Sequence, residues 1–287
     1  VVNGMVPLAS DMLAHQPIKE WIKSTDEFPH WFPNLFSGMP SYGGYIYTPG
    51  NPLSKVINFI LFNSGVKQWF YLSLGGLGLY CFLRFKNISY FSSIFGGIAY
   101  ALTPHVFGLI NAGHNTKIMA FSFVPWIFFS VSYLFQEKSI KSVLFLSIIS
   151  ALQLWVNPQV VYYTWMFIFG YWAYSFIDKS IKDKKIASLK VLFYLLISIF
   201  MTTLMVSDPY VDIFAFQNHS NRGAPSVLDD TNETSSGTKW DYATQWSFHP
   251  AEIISFALPY HFGLQNFSVK NRTCLLYTSD AADDIPR

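Results

Sequence analysis

Between Ser142 and Ile177 the chain reads SVLFLSIISALQLWVNPQVVYYTWMFIFGYWAYSFI, without one charged residue. A membrane-crossing helix needs about 20 predominantly apolar residues, so this run is too long for a single crossing. Asn157-Pro158-Gln159 in its middle carries turn chemistry, which splits the run into two helices joined as a tight hairpin. Applied outward, the same criterion selects the stretches 68–83, 91–110 and 118–135 before the hairpin, 142–157 and 159–177 as its halves, and 189–206 after it. The fold class expected is all-α: a polytopic transmembrane helix bundle with six spans.

Composition points the same way. Of 287 residues, 51% are hydrophobic, 19% aromatic and 13% charged, against roughly 25% charged in an average soluble domain. The mean hydropathy is +0.27. A water-soluble surface needs more polar coverage than this, which argues against a soluble globular enzyme. A net charge of +2 supplies no broad basic field, so nucleic acid is not expected as a partner. Cys81 and Cys274 are too few for a disulfide framework or a cysteine metal site. Pro104 and Pro125 fall inside apolar runs, where membrane helices tolerate a kink. Gly75, Gly76 and Gly78, with Gly96-Gly97, suit close helix packing.

Positive charge in short loops orients the spans. Arg84 and Lys86 follow the first, Lys138 and Lys141 follow the third, and Lys179, Lys182, Lys184, Lys185 and Lys190 surround the gap before the sixth. The alternate loops hold only Lys117. The expected organisation is an extracytoplasmic loop with an interfacial helix over 1–66, a bundle over 67–206, and an extracytoplasmic segment with a possible membrane re-entry over 207–273. The stretch 274–287 resembles the conceptual translation of a transposase adapter used in DNA library preparation. It is read as a sequencing artefact and kept out of the fold argument. Both ends are expected to be cut, with the natural chain continuing past Arg272.

Chemistry-capable side chains gather in the two outer segments. Ser10-Asp11, Trp31-Phe-Pro-Asn-Leu-Phe-Ser-Gly-Met-Pro40, Ala112-Gly-His-Asn-Thr-Lys117-Ile-Met-Ala120, Ser220-Asn-Arg-Gly223 and Tyr242-Ala-Thr-Gln-Trp-Ser247 follow one another in order. Together they resemble the YfhO family of bacterial membrane proteins over roughly residues 5–265. That family is similar to the GT-C glycosyltransferases, multi-span enzymes that use a polyprenyl-phosphate sugar and work on the outer face of the membrane. The resemblance implies a further span upstream of Val1 and puts Asp11 where the first loop's acid would sit, as general base or metal-binding acid. Asp11 stands without an Asp-X-Asp pair, so a divalent metal is left open and no other cofactor is implied.

A base within hydrogen-bond reach of an acceptor hydroxyl is worth about 10²–10⁴-fold, and the leaving lipid phosphate needs cationic partners. His114, Lys117 and Arg222 are the candidates for the donor phosphate, Arg222 with a bidentate grip. Trp31, Trp240 and Trp246 offer flat faces to a sugar. Asp26 and Glu27 are the alternative acids.

Plainer roles stand beside these. Asp11 suits a helix N-cap before Met12, Asp26-Glu27 a solvated surface, and Arg222 a surface pair with Asp229 or Asp230. His114 and Lys117 suit a short wet loop with a snorkelling lysine, and Ser37-Gly38-Met39-Pro40 a turn. His219, His249 and His261 lack zinc-site spacing. The expected partners are the bilayer, a polyprenyl-phosphate-linked sugar and an envelope polymer or glycan acceptor, in the bacterial cytoplasmic membrane with the active face outward. Two other classes remain open: a transporter or lipid flippase, and a non-catalytic envelope-assembly protein. Transporters usually carry ionisable groups within their spans. Here His105 is the lone one away from the span ends.

Overall fold

The computed structural model describes residues 21, 24, 31–33, 38–40, 56–57, 59–61, 64–183, 189–217, 250–258 and 261. Two compact units divide the chain, Val1–Ile213 and Phe214–Arg287. The elements in the first are almost entirely helical. Strands β1 (Trp31–Phe32) and β2 (Met39–Pro40) form a minimal antiparallel ribbon, with Trp31 opposite Pro40 and Phe32 opposite Met39. Gly38 turns between them at φ +117°, and a Cβ there would meet the Trp31 ring at 2.7 Å. Glycine is therefore required on two counts.

Helices α1 (Ser64–Phe85), α2 (Tyr90–Ala101), α3 (Pro104–Asn111), α4 (Asn115–Glu137), α5 (Ile140–Val156), α6 (Pro158–Asp183), α7 (Lys190–Met205) and α8 (Ser207–Gln217) follow. Seven of them track the six expected stretches, and α8 lies beyond these, in the segment expected to be extracytoplasmic. The run 91–110 is two helices, because Thr103 takes an extended backbone and Pro104 opens α3 at its first turn. Proline is pre-set for that position and disfavours a helical residue before it. The hairpin at Asn157-Pro158 forms where expected: α5 stops at Val156, Asn157 is extended, and α6 opens on Pro158.

Among the described residues, two helical segments are long and apolar enough to cross a membrane, Tyr90–Ile110 and Asn115–Glu137. Ile140–Val156 and Lys190–Met205 are apolar but shorter. In the second unit, Pro250–Ile253 and Ile254–Ala257 form short helical turns with Ile253 and Ile254 exposed.

Side-chain contacts give each helix a direction. Gln68 meets Asn115, Gly75 faces Ser122, Gly78 faces Trp126, and Phe85 meets Phe129 and Tyr133, so α1 and α4 run parallel. Likewise Ser147 meets Ser198 and Thr202, and Leu154 meets Tyr210, so α5 runs parallel to α7 and α8. Gln153 donates to the Ala120 carbonyl while Leu134 and Val143 share one cluster, so α4 and α5 are antiparallel. The main core joins α4, α5, α6 and α7 through Ile127, Leu134, Leu146, Trp165, Ile168 and Leu195.

Glycines set the closest approaches. A Cβ on Gly76 would sit 2.8 Å from the Gly97 carbonyl oxygen, and one on Gly78 would sit 2.7 Å from the Trp126 ring. Bare backbone is what lets α2 and the Trp126 indole lie against α1. The same indole donates to the Leu74 carbonyl at 2.9 Å.

Two prolines free backbone acceptors, and two tyrosines fill them. Pro125 has no N–H for the Phe121 carbonyl, and the Tyr100 hydroxyl donates to that oxygen at 2.7 Å. Pro158 has none for the Leu154 carbonyl, which accepts from the Tyr210 hydroxyl at 2.7 Å. Burial pushes the Tyr210 phenol up to about 12, so it stays protonated and donating.

Polarity is partly inverted relative to a water-soluble bundle: small polar side chains are buried beside the apolar core, and large apolar ones also face outward. Buried polar side chains on the helices include Ser93, Ser130, Ser147, Ser150, Gln153, Thr164 and Ser198. Exposed apolar side chains include Phe91, Phe95 and Ile98 on α2, Met166 and Phe167 on α6, and Phe193, Leu196, Phe200 and Leu204 on α7. The last four recur at three- and four-residue spacing, one continuous apolar face.

Candidate functional site

At one end of the bundle α3 hands the chain to α4. Gly113 takes φ +76°, which glycine adopts freely. The His114 N–H reaches back to the Leu109 carbonyl at 2.9 Å and the Gly113 N–H to Ile110 at 3.1 Å. This paired closure satisfies the orphan carbonyls at the end of α3. His114 thereby becomes the N-cap residue of α4, and its carbonyl accepts from the Lys117 and Ile118 N–H groups at 3.1 and 3.2 Å.

Lys117 lies three positions after His114, the spacing that puts two side chains on one helix face. Both sit at the positive end of a 23-residue helix, where backbone N–H groups and the macrodipole favour an anion. The loop is held from below by Gln68, almost fully buried in the first turns of α1, whose Nε2 donates to Asn115 Oδ1 at 3.0 Å. Tyr71, Leu72, Val106, Leu109 and Ile118 pack beneath it, together with Ile57 from a helical turn near residue 57.

Ile57 is buried while its neighbours Val56 and Ile60 are exposed. Among the described residues, the turn expected to lie on the membrane surface rests on the bundle through Ile57, with Leu61 packed partly buried against the same cluster. His105 stands across from this end, with its ring edge-on to Phe121 at 5.2 Å and within electrostatic reach of Lys117.

The structure thus places His114 and Lys117 within one turn of each other at the start of α4, joined by a backbone hydrogen bond. Asp11, Asp26, Glu27 and Arg222 lie outside the described residues, as do Trp240 and Trp246. Trp31 stands half exposed on the β ribbon. Among the described residues, no three His, Cys, Asp or Glu side chains gather as a metal site would require. His105, Gln68 and Asn115 complete the surroundings of Lys117. His105 carried a sequence signal, as an ionisable group inside an apolar run. Gln68 carried none, because one amide at the start of a span looks like an ordinary interface residue.

An imidazole, an ammonium and a helix N-terminus can together hold a phosphate, with the imidazole also able to move a proton. No family model, curated protein or solved structure matches this chain. The site must be read on its own chemistry.

Proposed function

We propose that the chain is a multi-pass protein of the bacterial cytoplasmic membrane, resembling the YfhO family. In this reading it transfers a sugar from a polyprenyl-phosphate donor to an envelope acceptor on the outer face. The observation that carries it is the pairing of His114 and Lys117 on the first turn of α4. This end of the bundle lies opposite Arg84, Lys86, Lys138 and Lys141, so positive charge in the loops puts it outside.

A six-crossing topology is supported by the parallel pairs α1–α4 and α5–α7 and by the apolar faces turned outward. Large exposed apolar faces of this kind belong against lipid or a partner. Interior groups of the serine, threonine and glutamine type suit helix–helix contacts in a bilayer better than the ionisable relays of a transporter.

In the transfer step Asp11 would take the proton of the acceptor hydroxyl as the new C–O bond forms and the sugar–phosphate bond breaks. Lys117, His114 and Arg222 would hold the departing lipid phosphate. The test uses membranes containing the protein and a labelled polyprenyl-phosphate hexose. Asp11→Asn should lower transfer to endogenous acceptor about 10²-fold or more, and Lys117→Gln should weaken donor use about tenfold, the scale of one charge-assisted hydrogen bond. Unchanged transfer in both variants at equal expression removes this site assignment. If the unaltered protein transfers nothing from several donors yet moves lipid across proteoliposomes, a flippase replaces the enzyme.

A further inference from the structure

On the flank of the bundle, Phe128 of α4 and Tyr163, Met166, Phe167, Gly170 and Tyr171 of α6 enclose an open groove of about 590 Å³. That is the size of a small-molecule site. Its α6 wall repeats at three- and four-residue spacing, an apolar stripe along one helix face. Gly170 makes the trough. A glycine inside a helix costs about 1 kcal/mol against alanine, and at Gly76 and Gly78 a neighbouring element fills the space left by the missing side chain. Nothing lies within 4 Å of a Cβ placed on Gly170. The room there is used by no part of the fold described. Water is a poor filler, since a stable water needs two to four polar partners, and a void forfeits dispersion contacts.

The end of the groove carries charge. Lys86 folds over Tyr171, its ammonium 3.3 Å from the hydroxyl and 5.6 Å from the ring centroid, with the Phe82 ring at 5.8 Å. Tyr171 is held in place by stacking on Phe135 at 5.5 Å. Among the described residues, none of the Lys86 contacts is anionic, and the side chain is exposed. Arg84, Lys138 and Lys141 stand at the same end, with Glu137 and Asp178 as the acids nearby. Basic sites between membrane helices on the cytoplasmic side hold anionic headgroups.

We infer that this groove binds one acyl chain of an anionic phospholipid, with Lys86 contacting its phosphate. The site is separate from the outer-face cluster, and it rests only on the reading that the bundle lies in a membrane. Charge complementarity names the occupant: an apolar trough for a hydrocarbon chain, ending at an ammonium without a carboxylate partner among the described residues.

The test is native mass spectrometry of the full chain in detergent, titrated with phosphatidylglycerol or with phosphatidylcholine of the same acyl chains. Phosphatidylglycerol should be retained about fivefold more, the scale of one lysine at an anionic surface. Lys86→Gln should equalise the two lipids. Gly170→Leu puts its Cβ in open space, fills the trough and should release both with no loss of thermal stability. Equal retention of the two lipids by the unaltered chain overturns the inference, as does Gly170→Leu keeping both. So does a dimer mass in place of lipid adducts, because a second copy would then fill the groove. Alkaline carbonate extraction separates the two failures. A chain released to the supernatant refutes membrane embedding itself, whereas a chain in the pellet without lipid preference refutes only the groove.

Discussion

Tyr100 and Pro125 are 25 positions apart, and one hydrogen bond makes them a unit. Without the Tyr100 hydroxyl, the Phe121 carbonyl loses both its helical donor and its substitute. A buried acceptor left unsatisfied costs about 1–3 kcal/mol. Tyr100→Phe should therefore lower the thermal midpoint of the detergent-solubilised protein. Pro125→Ala restores a backbone N–H and should recover most of that loss in the double variant. The coupling is read from the double-mutant cycle, and simply additive midpoint shifts would show that the tyrosine acts elsewhere. Gln153 is a different case. Its Nε2 donates to the Ala120 carbonyl at 3.0 Å and approaches Thr164 Oγ1 at 3.4 Å, tying three helices together at one level.

At the scale of elements, the glycines of α1 and α6 make opposite demands. Gly76→Ala places a Cβ against the Gly97 carbonyl oxygen, a backbone atom that can yield only if α1 and α2 part. Overpacking of that kind costs about 1–3 kcal/mol, more than the roughly 1 kcal/mol that alanine adds to helix propensity. Gly170→Ala meets nothing and keeps the propensity gain. Thermal midpoints should fall for the first and rise for the second, and a rise for both would mean the α1–α2 contact is looser than its geometry indicates.

Element positions were legible in the sequence because apolar length and turn residues are local signals. Asn157-Pro158 ended α5 where its chemistry requires, whereas the Ser139–Ser142 capping pair that starts α5 two residues before the expected stretch was not read from the sequence. The break at Thr103 was less legible, since a proline in an apolar run reads equally as a kink or as a helix start. Part of the candidate site was legible for the same local reason: His114 and Lys117 are neighbours in sequence, one turn apart at the start of α4. Gln68 and Tyr100 were not, because their partners lie 47 and 21 residues away and only packing brings them together.

For the whole molecule, the alternating helix directions make a claim about sides. With Cys81 and Cys274 replaced by serine, a membrane-impermeant maleimide should label Thr116→Cys on intact spheroplasts. It should reach Gln136→Cys only after permeabilisation, since the two positions bracket α4. Labelling of both from the same side would deny that α4 crosses. The partial inversion of polarity also governs how such a chain can drift through generations. On the outer faces, Phe193 or Phe200 can exchange with any comparably greasy residue, so those positions should wander in identity while keeping their character. Inside, Ser147, Ser198 and Gly76 are held by size rather than by hydrophobicity, and leucine, harmless one helix face away, would be purged there. Descent in this protein should therefore preserve small residues at these helix contacts as strictly as it preserves the large ones of the core around Ile127 and Leu146.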